Sequence, residues 1–433
     1  MKYYNRAIWD RIKEALKENP VVFLNGPRQV GKSTLMKNVA QDYIKAQYVT
    51  FDDIETYASA KNDPLGFLRS FKGSVIIDEV QKVPEIYSSI KLLVDEYRLK
   101  DKSTANGRFL LTGSVGISVI PELSKELVGR MAIMSLYPLS VSEALESGKS
   151  VISGLFDQEL SYHEESEDFD LDKIIRQASF PETIGMVNSD RHEWLDSYIN
   201  TILQRDVRDL AQIEKISELP NMLKMLANRA GSELNQKRFA DDCGLIPMTY
   251  KRYMVLLEKL FLINLLQPWH RNLNLRLVNK PKVFFTDTSL LCHLIGFDLE
   301  GLQQNNPSLY GHVFENFVFT ELQKQISFSA GKYQLYFYRT HDAKEVDFVI
   351  EKKNGEILGV EVKSSSTISE WDFVGLNKLK EAVGQDFVRG IVFYCGKKTL
   401  SFGDRLVAMP ISRLWNLNIE IEIDFNKIEI IES

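Results

Sequence analysis

Short apolar runs alternate with helical patterns from Pro20 to about Ala144. Nearly continuous apolar runs are typical of strands in a parallel sheet whose two faces are both covered by helices. Residues 1–150 therefore predict an α/β domain built on a parallel sheet. Its predicted strands are Val21–Asn25, Tyr48–Phe51, Ser74–Asp78, Arg108–Thr112 and Ala132–Leu136.

The pattern changes after residue 150, and it divides the rest of the chain into three regions. Residues 151–195 include the acidic stretch Asp157–Asp172, which predicts a solvated, mobile linker followed by a helical lid. Residues 196–302 predict a mainly helical domain. Residues 303–433 begin with an apolar helix, His312–Gln325, and continue with strands, so they predict a second α/β domain. The strands predicted there are Gln334–Tyr338, Glu345–Ile350, Ile357–Val362 and Ile391–Tyr394.

Two helical segments in the middle region are separated by a tight turn. They are Lys237–Cys243 and Met248–Leu260, and Gly244 can end the first helix while Pro247 can begin the second. The chain then reaches Lys282–Thr286, a predicted strand of the kind that forms a wing. These elements indicate a helix-turn-helix or winged-helix fold, for which contact with a duplex and packing against other domains are both open roles.

The segment Gly26–Ser33 matches the phosphate-binding pattern GxxxxGK[ST], with a predicted strand before it and a helical pattern from Thr34 onward. Glycines let the backbone turn tightly and direct its N–H groups at phosphate oxygens, and the helix N-terminus adds a positive dipole. Lys32 would neutralise the β- and γ-phosphates, and the Ser33 hydroxyl would ligate Mg²⁺. The predicted nucleotide contacts are Gly26, Pro27, Arg28, Gln29, Val30, Gly31, Lys32, Ser33 and Thr34.

Two carboxylates, Asp78 and Glu79, follow at the end of the third predicted strand. Burying them without a partner would be unfavourable, so an ion or an open cleft is the simplest explanation of their position. We expect Asp78 to hold Mg²⁺ through water and Glu79 to orient or deprotonate the attacking water. Ser114 would sense the γ-phosphate unless it merely ends a strand, and Arg130 would stabilise the transition state, in cis or in trans, unless it is a surface arginine. These residues predict hydrolysis of ATP or GTP, and they do not encode the base.

A second group of chemically active residues lies near the C-terminus. Asp347 is in one predicted strand and Glu361 and Lys363 are on one face of the next, so a hairpin brings them together. This set suits metal-assisted phosphodiester hydrolysis. Asp347 and Glu361 would bind Mg²⁺, Lys363 would position water or stabilise the pentavalent phosphate, and Glu315 would complete the shell. The alternative is an ion pair across the sheet, in which Lys363 neutralises one of the carboxylates.

Composition narrows the class of protein. The chain has 53 Lys and Arg residues against 59 Asp and Glu residues, a net charge of −6, so no basic field over the whole protein indicates nucleic acid, although a local basic channel can exist. Its three cysteines have no metal-like spacing, and its N-terminus lacks the apolar core of a signal peptide. The longest apolar stretch, Met254–Leu266, is too short to span a bilayer. We therefore expect a reduced, cytoplasmic protein that does not associate with membranes.

Taken together, the motifs resemble those of prokaryotic P-loop ATPases that join an AAA/STAND-like ATPase domain to a C-terminal domain of unknown function. The resemblance implies a P-loop NTPase parallel sheet, a helical winged-helix-like domain and an α/β restriction-endonuclease-like domain with a PD-(D/E)xK signature. Val346 stands where that signature has proline. The matching segments are Gly26–Thr34, Ile77–Gln81, Leu111–Ser114, Gly129–Arg130, Phe180–Glu182, Arg205–Val207, Lys282–Asp287, Val313–Asn316, Glu345–Asp347 and Glu361–Lys363.

Two functions of different kinds follow from these motifs. In the first, a Mg²⁺-dependent ATPase couples hydrolysis of ATP to action on double-stranded DNA through the nuclease-like C-terminal domain. In the second, the chain is a nucleotide-dependent switch that binds a protein partner or another copy of itself, and its C-terminal domain is catalytically idle. A kinase fits less well, because no acceptor pocket is indicated and the Asp78–Glu79 pair suits activation of water.

Overall fold

The structure is a computed structural model, and it describes residues 2–42, 45–114, 125–157, 169–207, 218–272, 276, 280–296 and 299–416. Most of the acidic stretch Asp157–Asp172, which is predicted to be a mobile linker, lies outside these ranges. Within the described ranges, no helix is both long enough and apolar enough to cross a bilayer.

The N-terminal domain is a five-stranded, fully parallel sheet in the order β2-β3-β4-β1-β5. This confirms the predicted α/β class and the predicted parallel sheet. Its strands are β1 (Val21–Asn25), β2 (Gln47–Thr50), β3 (Val75–Asp78), β4 (Phe109–Gly113) and β5 (Met131–Ser135). Its helices are α1 (Trp9–Glu18), α2 (Lys32–Asp42), α3 (Ile54–Asn62), α4 (Pro64–Arg69), α5 (Ile86–Lys100) and α6 (Val141–Ala144).

The order of the strands determines where polar residues meet. Every residue of β1, β3 and β4 is buried, as the continuous apolar runs predict, whereas β2 and β5 at the two edges are partly exposed. Because all five strands are parallel, their carboxyl ends lie at one edge of the sheet, where ligands of open α/β sheets bind. The segment after β1, the end of β3 and Ser114 after β4 therefore come together.

The middle of the chain is mainly helical and contains a two-stranded antiparallel ribbon, β6 with β7. Its elements are α7 (Ile152–Phe156), α8 (Leu171–Gln177), α9 (Asn188–Thr201), α10 (Leu219–Ala227), α11 (Gln236–Asp242), α12 (Pro247–Lys259), β6 (Ile263–Leu266), β7 (Lys282–Phe285), α13 (Thr288–Ile295) and α14 (Leu299–Asn305). Gly244 has a φ of +65°, in the left-handed region that favours glycine, and Pro247 begins α12 as predicted. The winged-helix assignment of these elements stays a prediction.

The C-terminal domain has a mixed six-stranded sheet in the order β12-β13-β11-β10-β9-β8. β9 and β10 form the predicted antiparallel hairpin, while β10, β11 and β13 are parallel. The elements are α15 (Pro307–Phe328), β8 (Tyr333–Arg339), β9 (Glu345–Lys352), β10 (Ile357–Lys363), α16 (Val374–Val383), β11 (Phe387–Tyr394), β12 (Leu400–Ser401) and β13 (Leu406–Pro410). The assignment of this domain as restriction-endonuclease-like stays a prediction.

Helix α15 joins the three parts of the molecule. Its apolar side chains pack on the middle region, where the rings of Phe319 and Phe284 are stacked with centroids 4.3 Å apart. The buried Lys324 ammonium donates hydrogen bonds of 2.9 Å to the carbonyl oxygens of Leu139 and Ala178, and it lies 3.2 Å from Glu321. A buried charge needs such partners, so these contacts hold the C-terminal helix against the N-terminal domain.

Candidate functional site

The predicted phosphate loop connects β1 to α2 at the carboxyl edge of the sheet. Gly26 and Gly31 have φ angles of +150° and +89°. A Cβ atom on Gly26 would collide with the backbone carbonyl oxygen of Leu136. Glycine is therefore required at position 26 by close approach of the backbone as well as by its conformation.

Lys32, the first residue of α2, turns its ammonium group back over this loop. Its Nζ donates hydrogen bonds to the carbonyl oxygens of Gly26, at 2.9 Å, and Pro27, at 2.6 Å. Both acceptors are neutral. Because hydrogen bonds between charged groups are stronger than hydrogen bonds to neutral acceptors, an anionic phosphate can replace these carbonyls as the partner of Lys32.

Asp78, at the end of β3, is held by hydroxyl groups. Tyr48 donates to its Oδ2 at 2.6 Å, Thr112 donates to Oδ1, and the backbone N–H of Glu79 lies 3.1 Å from Oδ1. Ser33 is hydrogen-bonded to the same Tyr48 hydroxyl, and burial together with Asp78 raises the pKa of Tyr48. The hydroxyl of Ser33 and the carboxylate of Asp78 thus face a common region, and oxygen donors of this kind fit Mg²⁺.

Glu79 has a left-handed backbone, with φ of +54° and ψ of +42°, which is strained for a residue with a side chain. The Ser114 hydroxyl lies 2.9 Å and 2.8 Å from its two carboxylate oxygens, and Gln81 Nε2 also donates to it. Ser114 therefore holds Glu79, in addition to its predicted role as a γ-phosphate sensor. Gln81 belongs to the segment Ile77–Gln81, but the sequence predicts no role for it.

A cavity of 830 Å³ opens above the loop and is lined by Glu79, Ser114 and the loop from Arg28 onward. Three further segments complete its wall, and none of them is predicted from the sequence as part of the site. They are the N-terminal residues Lys2, Tyr3, Tyr4 and Arg6, the turn at Pro181 and Glu182, and the α9 residues Trp194, Ser197, Tyr198 and Thr201. The Trp194 and Tyr198 rings are stacked, 5.3 Å apart. A few polar groups beside aromatic surface are typical of sites for small molecules.

Arg6 is hydrogen-bonded to the phosphate loop. Its guanidinium donates to the carbonyl oxygens of Val30, at 2.6 Å, and Tyr137, at 2.7 Å, and it pairs with Glu143 at 3.0 Å. Both charged side chains are buried. This network is missed by sequence reasoning because Arg6 and Glu143 are far apart in the chain and belong to no recognisable motif.

Arg130 lies at the opposite edge of the sheet from the cavity, immediately before β5. Its guanidinium makes two hydrogen bonds to Asp95, of 2.8 Å and 2.9 Å, and its carbonyl oxygen accepts from Val21 at the start of β1. The length of β1 therefore separates it from the phosphate loop of its own chain. The structure does not bring Arg130 to the phosphate loop of its own chain, and its role in the transition state stays a prediction.

The C-terminal constellation is brought together. Asp347 on β9 accepts a hydrogen bond of 2.8 Å from the backbone N–H of Val362, between Glu361 and Lys363 on β10. Lys363 Nζ lies 2.9 Å from Glu361 Oε1, which matches the ion-pair alternative. Burial and the charge of Asp347 raise the pKa of Glu361 well above its ordinary value.

A second lysine that is not predicted as a site residue enters this cluster. Lys282, the first residue of β7, lies 2.8 Å from Glu315 Oε1 and 3.8 Å from Asp347 Oδ1, and it also pairs with Glu345. Burial lowers the pKa of Lys282, but the three negative charges more than offset this effect, so its pKa is raised. In the sequence, Lys282 belongs to the family-like segment Lys282–Asp287, but no chemical role is predicted for that segment.

Mg²⁺ ligation by Asp347 and Glu361 stays a prediction. Across the part of the chain that the structure describes, no group of three or more Asp, Glu, His or Cys side chains is arranged to hold a metal ion.

Family comparisons cover the three parts of the chain separately. Residues 18–145 match the model of an AAA domain, whereas residues 168–301 and 310–414 match two domains of unknown function, DUF8612 and DUF4143. The first match agrees with the parallel sheet and the phosphate loop.

Similar proteins occur in bacteria and archaea. An uncharacterized protein of Mycobacterium tuberculosis is 28% identical over 405 residues, which are 93% of this chain and 83% of that protein. An uncharacterized protein of Methanocaldococcus jannaschii is 23% identical over 396 residues, or 85% and 80% of the two chains. Among solved structures, a Walker-type ATPase of Pyrococcus abyssi matches with a TM-score of 0.39 and 15% identity, covering 67% of this chain and 96% of that one. Residues 18–145 are thus similar to an AAA domain, and the N-terminal domain of this chain is a parallel-sheet, P-loop NTPase-like domain.

Proposed function

We propose that the chain is a Mg²⁺-dependent ATPase. The observation that carries this proposal is the cavity of 830 Å³ in which the phosphate loop, Lys32 and Glu79 face the same space. The match of residues 18–145 to an AAA domain supports ATP as the nucleotide.

Binding begins with exchange of partners at Lys32. The terminal phosphates take the place of the Gly26 and Pro27 carbonyl oxygens on its ammonium group, while N–H groups of the loop and of the start of α2 bind the remaining phosphate oxygens. The nucleoside lies toward the aromatic wall that includes Trp194 and Tyr198. Aromatic faces suit a flat base, because stacking excludes water from both.

Ser33 and Asp78 would hold Mg²⁺, which when bound supplies positive charge to the β- and γ-phosphates. The carboxylate of Glu79 accepts a proton from a water molecule as the water oxygen bonds to the γ-phosphorus. The bond from that phosphorus to the bridging oxygen breaks, and ADP and phosphate are released. Ser114 and Gln81 orient the Glu79 carboxylate for this step. Arg130 contributes only from a second copy of the chain.

The test is release of phosphate from ATP and from GTP by the purified full chain, with and without Mg²⁺. We expect Mg²⁺-dependent turnover of ATP that is lost in Lys32→Ala and Glu79→Gln. Lys100→Ala, which changes an exposed lysine at the end of α5 in the same domain, is the matched control and keeps wild-type turnover. Turnover in Lys32→Ala equal to that of the control would refute the assignment of the site.

We further propose that hydrolysis is coupled to action on double-stranded DNA. The supporting observation is that four basic residues of α11 and α12 are exposed: Lys237, Arg238, Lys251 and Arg252. Exposed basic side chains suit the phosphates of a duplex, whose binding weakens steeply with salt because counterions are released.

DNA coupling is tested by measuring ATP turnover with and without duplex DNA at several salt concentrations. We expect stimulation that falls with salt and is lost in the double variant Lys251→Ala and Arg252→Ala. If the C-terminal domain cleaves DNA in Mg²⁺ or Mn²⁺, Lys363→Ala abolishes the cleavage. Cleavage that survives in Lys363→Ala contradicts the nuclease assignment.

The second candidate is a switch that binds a protein, with an idle C-terminal domain. The observation in its favour is the ammonium group of Lys282 inside the carboxylate cluster. ATP turnover that does not respond to DNA, together with no cleavage of any form of DNA, would favour this function over DNA coupling.

A further inference from the structure

The carboxylate cluster of the C-terminal domain is completed by a residue from another part of the molecule. Glu315 lies on α15, and Glu345 and Asp347 lie on β9, whereas Lys282 comes from the ribbon of the middle region. The cluster is therefore also a contact between the middle region and the C-terminal domain.

The position of Lys282 is set by its backbone. It pairs with Leu266 of β6 on one side and forms a bridge with Glu233 on the other, so the ribbon directs its side chain into the cluster. Only 3% of the residue is exposed. Carboxylates close to a buried ammonium group stabilise its charge, and three of them lie beside Lys282.

The same carboxylate oxygens would serve a divalent cation. Glu315 Oε1 already accepts from Lys282 at 2.8 Å, and Asp347 Oδ1 lies 3.8 Å from its nitrogen. Mg²⁺ binds oxygen at about 2.0–2.1 Å, so an ion on these ligands would lie within a few ångströms of the ammonium group. Two cations that close repel each other strongly in a buried site.

Glu361 provides a second observation, independent of Lys282, that points to a cation site in the carboxylate cluster. Its Oε2 atom is buried and has no hydrogen-bond partner among the described residues, while its Oε1 is satisfied by Lys363. Buried carboxylate oxygens are normally paired, and a cation beside Asp347 would supply the missing partner.

We propose that Lys282 acts as an internal substitute for a divalent cation, so that a metal ion binds Asp347 and Glu361 only when the ammonium group of Lys282 has left the cluster. While the ribbon is docked, the C-terminal domain is closed to metal-dependent chemistry. Withdrawal of β7 opens it. The inference rests on the predicted cation site of the C-terminal domain and is independent of ATP hydrolysis.

The test is binding of Mn²⁺ to the nucleotide-free full chain, measured by the paramagnetic resonance signal of the free ion. We expect wild type and Asp347→Asn to bind the same amount, because the cluster is closed in both. Lys282→Met binds one additional Mn²⁺ per chain, and the added change Asp347→Asn removes it. Lys282→Arg, which keeps the positive charge, behaves as wild type.

Two results would overturn the proposal. One is a loss of Mn²⁺ binding when Asp347→Asn is introduced into the wild type, since the ion would then bind with Lys282 in place. The other is a folded Lys282→Met variant, verified by circular dichroism, that gains no ion. If that variant does not fold, the double variant Lys282→Met with Glu315→Gln, in which one of the uncompensated carboxylates is neutral, takes its place and is read in the same way. Because no nucleotide is present, a failure of the ATPase proposal leaves this result unaffected.

Discussion

Lys32 and Lys282 are both almost fully buried, with 6% and 3% of their surfaces exposed, yet their surroundings differ in charge. Lys32 donates to two neutral carbonyl oxygens beside a cavity, whereas Lys282 contacts three carboxylates. Burial alone therefore does not tell whether a lysine is available to a ligand. The charge of its partners decides, because an anion displaces a neutral acceptor from an ammonium group far more easily than it displaces a carboxylate.

The two sites also differ in what their acidic residues do. At the phosphate loop, Asp78 and Glu79 are held by hydroxyl and amide groups, so their charge remains available to a cation or to water. In the C-terminal cluster, Glu315 and Glu361 are each paired with a lysine of the same chain. We expect the first site to act in the arrangement that the structure describes and the second to need a rearrangement.

The largest effect is expected from Lys32→Ala. Loss of the ammonium group removes charge stabilisation from the terminal phosphates, and ATP turnover should fall by about 10³-fold or more, equivalent to about 4 kcal/mol. Phosphate release under saturating ATP measures it. Turnover within about tenfold of wild type would mean that Lys32 stays bound to the carbonyl oxygens of its loop and does not stabilise the phosphates, just as Lys282 stays bound to its carboxylates.

For stability, in contrast to ATP turnover, we expect the loss of Lys282 to have a larger effect than the loss of Lys32. Lys282→Met leaves buried carboxylates uncompensated and should lower the free energy of unfolding by about 3–5 kcal/mol. Lys32→Met leaves neutral carbonyls that water in the cavity can reach, and should lower it by about 1 kcal/mol. Urea unfolding of both variants gives the comparison. Adding Glu315→Gln to Lys282→Met should restore part of the loss. Equal losses in the two lysine variants would show that the charge of the partners does not distinguish these lysines.

Glu79→Gln tests the acidic side of the first site. The amide keeps the shape of the side chain but accepts no proton from water, so single-turnover hydrolysis should slow by about 10²-fold or more. Binding of a fluorescent ATP analogue should remain close to that of wild type. A variant that neither binds nor hydrolyses would show that Glu79 supports the fold of the loop rather than the reaction.

Glu361→Gln should give the smallest effect, and that effect should depend on pH. Burial and Asp347 raise the pKa of Glu361 in the folded state, so its contribution to stability is present below its ordinary pKa of 4.5 and is lost as pH rises toward the folded value. Relative to wild type, the variant should therefore gain stability from pH 5 to pH 8, by at most about 1.4 kcal/mol for each unit by which the pKa is raised. Melting temperatures at both pH values measure it, and a difference that is constant with pH would indicate that Lys363 fully compensates the charge.

Much of the fold could be predicted where local patterns are strong. The ends of β1 to β5 agree with prediction to within one residue, and β1, β3 and β4 are the continuous buried apolar runs that are typical of a parallel sheet. The predicted helix His312–Gln325 is instead too short at both ends: α15 begins at Pro307, where the Asn306 side chain caps it by accepting from the Leu309 N–H, and it ends at Phe328. β13 and α16 are missed because a short run and an ordinary amphipathic segment carry little signal alone.

The sequence by itself determined three features of the two sites. They are the phosphate loop, the position of Asp78 and Glu79 after a strand, and the approach of Asp347 to Glu361 and Lys363. Each follows from spacing within a short segment or a hairpin, where chain connectivity limits the geometry. The tertiary structure alone decided that Arg130 faces away from the cavity and that Lys282 enters the carboxylate cluster. Those contacts join residues that are far apart in the chain. They arise from the packing of whole domains, which the local periodicity of the sequence does not encode.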